Sequence, residues 1–139
     1  MTDPGDLRQE DLKHLEFLQA VIARHGNNSF LIKGWAITLS GAFLAVASRG
    51  AGGRTAVICV GLVTGFWSLD SYYLRQERLF RSLYEKIASR RAAPLPPLTM
   101  DAERYGERVT WHRVAFSRTM LCSYGVLAAV DSMMIIFLR

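Results

Sequence analysis

Cysteine, histidine and proline are scarce in this chain: two, three and four residues among 139. Cys59 and Cys122 both fall inside apolar stretches, with no second Cys or His at ligand spacing beside either. That excludes a zinc site and a disulfide scaffold, and the two thiols read as small buried hydrophobes. His14, His25 and His112 are widely separated, each beside the polar side of a predicted helix or turn, and read as surface histidines. No G-x-x-x-x-G-K-[ST], H-E-x-x-H, C-x-x-C or G-x-S-x-G occurs. Glu77 and Glu85 stand two helical turns apart among arginines, a spacing that suits intrahelical ion pairs rather than an acid and base couple. The expectation is therefore a chain that is not an enzyme and needs no cofactor or metal.

Charge is also sparse, at 21% of residues, whereas 50% are hydrophobic. Such a balance is oily for one soluble domain, and it excludes intrinsic disorder. The apolar residues crowd into Phe30–Ser48, Thr55–Leu74 and Thr119–Leu138. At a rise of about 1.5 Å per residue, each block of roughly 20 residues matches the ~30 Å of bilayer hydrocarbon. The pattern predicts an all-α integral membrane protein with three transmembrane helices, an N-terminal amphipathic helix and a helical cytoplasmic segment. Its parts are a cytoplasmic amphipathic helix over 1–28, a transmembrane hairpin over 29–74, basic cytoplasmic helices with a Pro-rich connector over 75–113, and a third transmembrane helix over 114–139. A long polar segment precedes the first apolar block, so that block is expected to stay as an anchor and not be cleaved as a signal peptide.

Between the second and third spans lie Arg75, Arg78, Arg81, Lys86, Arg90, Arg91, Arg104, Arg108, Arg113 and Arg118, more than half of the chain's 17 cations. The positive-inside rule places this segment in the cytoplasm. The N-terminus then also faces the cytoplasm of a bacterial inner membrane, and the Ser48–Arg54 loop faces outward. Within the cytoplasmic part, Leu12, Leu15, Leu18 and Ile22 recur at helical spacing, flanked by Phe17 and Val21. Gly26-Asn27-Asn28-Ser29 is expected to break or bend the chain, with Asn28 or Ser29 capping the span that follows. The second span runs without Gly or Pro into Arg75–Arg91 and predicts one long projecting helix, ended by Pro94-Leu95-Pro96-Pro97. A further helical segment, capped by Asp101, leads through Trp111 toward the third span.

Some charges lie where a membrane would penalise them. Lys33 and Asp70 are equidistant from the turn of the hairpin and so lie at one depth, where an unpaired charge costs roughly 2.5–3.5 kcal/mol. An ion pair between them is expected, with Arg118 at similar depth as a third member; the alternative is that Lys33 snorkels to the headgroups. Trp35, Trp67, Tyr72 and Tyr73 form an aromatic belt at that level. Asp131 falls about 20 Å along the third helix, in the outer half of the bilayer. Either it pairs with Arg49, Arg54 or Arg139, or it lines a wet cavity shared between subunits, where acidic side chains favour cations.

Gly61 and Gly65 have GxxxG spacing, with weaker versions at Gly41–Ala45 and Gly125–Ala129, which suggests homo-oligomers in the lipid bilayer. The cytoplasmic cations outnumber Glu77, Glu85, Asp101, Glu103 and Glu107, and Tyr84, Tyr105 and Trp111 lie among them. Arg75, Arg78, Arg81, Lys86, Arg90, Arg91, Arg104 and Arg108 are candidates for binding an anionic ligand on which aromatics stack. The competing explanation is that these cations only set orientation and touch anionic lipid.

Asn28-Ser29-Phe30 and Lys33-Gly34-Trp35, followed by Phe66-Trp67-Ser68-Leu69-Asp70-Ser71-Tyr72-Tyr73-Leu74-Arg75-Gln76-Glu77-Arg78, Phe80-Arg81 and Leu83-Tyr84, resemble a family of small bacterial membrane proteins. That family includes membrane effectors of anti-phage operons and is similar to the channel effector of the Hailong system. The resemblance covers most of the chain up to Tyr84 and, more loosely, the third span. It implies an oligomeric channel gated on its cytoplasmic side by a nucleotide or short DNA ligand, which a partner nucleotidyltransferase makes. Asp131 lies outside the matching motif. The alternative function is a non-conducting membrane anchor or assembly factor that recruits a cytoplasmic partner through the amphipathic helix.

Overall fold

Leu15, Leu18, Ser29, Ile32, Ala36 and Ser40 follow one another at helical spacing and are all buried, so a single apolar and small-residue stripe runs along the first helix from end to end. In a computed structural model that describes residues 9–47, 49, 53–89, 98–105 and 109–137, this stripe belongs to one helix, α1, Gln9–Ala47. The second helix, α2, Gly53–Ala88, returns antiparallel to it. Three shorter helices follow: α3, Ala102–Tyr105; α4, Trp111–Ala115; and α5, Arg118–Phe137. The described residues are helical throughout their regular structure, with no strand among them. Two of the helices, α1 and α2, are long and apolar enough to cross a membrane.

The bend expected at Gly26–Ser29 is absent, because α1 passes through these residues without interruption. A Gly in a helix interior costs only about 1 kcal/mol relative to Ala. Here α2 lies alongside and supplies packing that exceeds that penalty: His25 stacks on Phe80 at 5.7 Å and tilts against Tyr73 at 5.9 Å. Ser29 caps nothing and is buried against α2. The segment expected to form a separate N-terminal helix is accordingly the first half of α1 and not a helix of its own. Leu15 and Leu18 are buried in it, whereas Leu12 and Phe17 are exposed.

The long helix expected to continue past the second span is α2, which ends near Ser89; the Pro-rich connector lies outside the described residues. The segment after Asp101 differs from the expectation of a continuous helix. Asp101 does cap, accepting the Arg104 backbone N–H at 3.0 Å, but α3 lasts one turn. After α4, Phe116 leaves helical geometry (φ −100°, ψ 21°), which separates α4 from α5.

Two apolar clusters hold the arrangement. Leu18, Leu79, Leu83 and Ala102 form one, joined by Phe80, Tyr84, Ile87 and Val109, and it fixes α3 to the α1–α2 pair. Ala36, Met120 and Tyr124 form the other, with Val63, Phe66 and Trp67 packed on it, and it seats α5 across both long helices. Trp67 is the junction: its indole N–H donates to the Ala115 carbonyl at 3.1 Å, and its ring meets Trp111 and Phe116 edge-on. Outside these clusters the pattern inverts, with Phe30 at 74%, Val57 at 72% and Val126 at 64% exposure, while Ser40, Asp70 and Asp131 are buried.

Candidate functional site

Lys33 and Asp70 meet across the α1–α2 seam, with Lys33 Nζ 2.6 Å from Asp70 Oδ2 and the Asp70 side chain wholly buried. The approach is an ion pair outside the geometry of a directed hydrogen bond, so Oδ2 is held by charge. Ser29 closes the arrangement. Its hydroxyl donates to Asp70 Oδ1 at 2.5 Å and accepts from Lys33 Nζ at 2.8 Å. Ser29 and Lys33 stand one helical turn apart on α1, which brings both to the same point on α2. From α5 the Tyr124 hydroxyl donates to the Phe66 carbonyl at 3.3 Å, one turn before Asp70 on α2. Side chains from α1 and α5 therefore meet α2 along the single turn Phe66–Asp70.

Arg118 is not part of this cluster. It is exposed, and among the described residues no ion pair joins it to Asp70. The reason is angular: Met120 and Tyr124 face the bundle, and a residue two positions before Met120 points away from it. Ser29 and Tyr124 were not expected at this turn. The i, i+4 spacing of Ser29 to Lys33 carried the signal for the first, while the rotation of α5 that selects Tyr124 has no counterpart in local sequence.

The basic residues are not one open patch. Arg75 donates from Nε to the Val109 carbonyl at 2.9 Å and pairs with Glu103 Oε1 at 3.0 Å, tying the α3 segment to α2. Arg81 pairs with Glu77 at 2.6 Å, one turn away on the same helix. Lys86 and Arg104 also have partners. Arg78 is half-buried, and Arg90, Arg91 and Arg108 lie outside the described residues. A second tether reinforces the first, since the buried His14 Nε2–H donates to the Thr99 carbonyl at 2.7 Å. Leu98, just before it, turns the chain in the left-handed region at φ 56°.

Asp131 is 5% exposed, and neither carboxylate oxygen has a hydrogen-bond partner. Arg49 is exposed and makes no described ion pair with it; the side chain of Arg54 and all of Arg139 lie outside the described residues. The face that Asp131 occupies is thus interior to one chain.

Among the described residues, no group of three or more His, Cys, Asp or Glu side chains is arranged to hold a metal. No protein-family model matches the chain, and neither a curated protein nor a solved structure is similar to it.

Proposed function

We propose that this protein is an oligomeric, channel-type membrane effector of a bacterial inner membrane, acting in anti-phage defence. In this reading α5 is the third span, the N-terminus is cytoplasmic, and a nucleotide or short DNA ligand made by a partner nucleotidyltransferase acts on the basic side. The observation that supports it is the inverted packing of α1, α2 and α5: large apolar side chains face outward while Asp70, Ser40 and Asp131 face inward. Water would reverse that pattern, whereas a bilayer favours it. Three spanning helices are too few to enclose a water path by themselves, so conduction needs several copies.

The Lys33–Ser29–Asp70 cluster would lock α1 to α2 where the bundle enters the cytoplasm. The Arg75 and His14 tethers would couple the α3 segment to the same two helices. An anion that competes with Glu103 for Arg75 would loosen that segment and so act on the bundle. The test is purification in detergent, sizing by light scattering, and reconstitution into vesicles loaded with a potential-sensitive dye. An oligomer that dissipates an imposed K⁺ gradient is expected. A strict monomer, or an oligomer with no flux with or without short oligonucleotides, would leave the anchor reading in its place.

A further inference from the structure

Between Val109 and Ala115 the chain runs beside α2 and is held at both ends by side chains of that one helix. At the first end Arg75 donates from Nε to the Val109 carbonyl at 2.9 Å, and its Nη1 pairs with Glu103 at 3.0 Å. At the other end the Trp67 indole N–H donates to the Ala115 carbonyl at 3.1 Å, and its ring meets Trp111 at 5.4 Å and Phe116 at 5.5 Å. Arg75 and Trp67 stand about 12 Å apart along α2.

The helix between these grips, α4, does little to hold itself. It has 5 residues, and Thr110 at its N-cap makes no side-chain capping bond. A helix this short is not stable alone, so its order comes from the burial of Val114 and Ala115 and from the two grips. The grips differ. Trp67 belongs to the apolar cluster in which Met120 and Tyr124 of α5 pack on Ala36. Arg75, by contrast, is 26% exposed and Glu103 65%, so their pair is open to water and to competing ions. One guanidinium makes both bonds, and whatever draws it away releases Glu103 and Val109 together. Beyond α4, Phe116 leaves helical geometry, so α4 and α5 are separate rods joined at one residue.

We infer that α4 is a lever, with Arg75 as its releasable catch and Trp67 as its pivot, and that its position sets how α5 is seated on the α1–α2 hairpin. While the catch is closed, α4 lies along α2 and Tyr124 reaches the Phe66 carbonyl. A phosphate-bearing anion that takes Arg75 from Glu103 also frees the Val109 carbonyl. The lever then turns about the Trp67–Ala115 bond, and Phe116 carries the turn into α5. This names the path by which the gating proposed above would reach a spanning helix, and it rests on that reading only for what opens the catch.

The experiment is hydrogen–deuterium exchange with peptide mass analysis on the purified full-length protein in detergent. Arg75→Gln should speed exchange about tenfold, the effect of one lost hydrogen bond on a local opening, in peptides covering α4 and the first half of α5. Peptides around Lys33 and Asp70 should exchange as in the wild type. Glu103→Gln, which leaves the Val109 bond, should change the α4 and α5 peptides little. Arg75→Lys keeps a charge opposite Glu103 but lacks the planar fork that makes both bonds, so it should behave like Arg75→Gln and serves in its place if that variant does not fold. Acceleration confined to residues 98–105, with α4 and α5 unchanged, would overturn the lever. So would equal acceleration over the whole chain, or failure of both Arg75 variants to fold, either of which would assign Arg75 to general stability. Sodium tripolyphosphate, set against NaCl at equal ionic strength, tests the opener on the wild type. If it speeds the same α4 and α5 peptides, a phosphate chain reaches the catch. If it has no effect while Arg75→Gln does, the lever stands and an anionic ligand at Arg75 is refuted.

Discussion

At the scale of single residues, the Lys33–Ser29–Asp70 cluster explains how a charge can lie in a helix seam that is otherwise apolar. Asp70 is fully buried, so removing its cation leaves an uncompensated charge. Breaking a buried pair by removing one partner costs about 3–5 kcal/mol. Lys33→Met should therefore lower the melting temperature in detergent steeply. Ser29→Ala should have a smaller effect, on the order of 1–3 kcal/mol, because it removes the hydroxyl bridge and leaves the ion pair. Exchanging the charges, Lys33→Asp with Asp70→Lys, should recover part of what each single reversal loses, and no recovery would mean that the pair does not hold the seam. The positions of Lys33 and Asp70 were legible in the sequence because hairpin symmetry needs only the location of the turn. Tyr124 was not, because its place depends on how far α5 is rotated about its own axis, and that follows from the packing of Met120 and Ala36.

At the scale of elements, the helical character of these segments could be read from apolar periodicity, but where each helix begins and ends could not. The α2 helix runs as its unbroken pattern suggests, since no residue from Phe66 to Ala88 opposes it. In α1, by contrast, local propensity argues for a break at Gly26-Asn27-Asn28 and the pairing with α2 overrides it. This gives a sharp expectation for Gly26→Ala. A Cβ at that position would meet Glu77 Oε2 at 3.7 Å, an ordinary contact, in a helical conformation that Ala favours. The substitution should raise stability by up to about 1 kcal/mol. Destabilisation measured by thermal unfolding would instead mean that the functional protein bends α1 there. The α3 segment shows the opposite failure. Its capping residue, Asp101, was legible, yet the chain has left the helix by Val109, and the segment is held by the tertiary contacts of Arg75, His14 and the buried Ala102.

At the scale of the whole molecule, the division of the cations decides how an anionic ligand would bind. Arg75 and Arg81 already face carboxylates, so a polyanion must displace Glu103 or Glu77 to use them. Arg78 lies on the same helix, and Arg90 and Arg91 follow it in sequence. Neutralising these three with Gln should weaken binding of a fluorescent short DNA and reduce the slope of log K against log salt by about two, at ~0.7 per phosphate contact. Arg81→Gln alone should reduce it less. An unchanged slope in the triple variant would assign these arginines to lipid headgroups.

Assembly is the property on which the proposed conduction depends, and Gly61 and Gly65 of α2 allow it to be tested without disturbing the protomer. Both are exposed, and a Cβ built on either meets nothing within 4 Å. Their chain neighbours Val57 and Val60 are exposed as well, so the ridge is open along its length. Small residues at this spacing let helix backbones approach closely in a bilayer, where packing rather than the hydrophobic effect drives association. Gly61→Leu and Gly65→Leu would therefore add bulk only on a surface that no other described part of the chain covers. Each variant should keep or slightly raise the melting temperature of the monomer and keep the Lys33–Asp70 coupling, while light scattering of the variants should show loss of the proposed oligomer and vesicle flux should disappear. If oligomers persist in the double variant, subunits meet through another face. If instead the folded monomer itself is lost, the ridge is an internal contact of the functional state, and the open α2 surface seen here is closed by this chain rather than by a second copy.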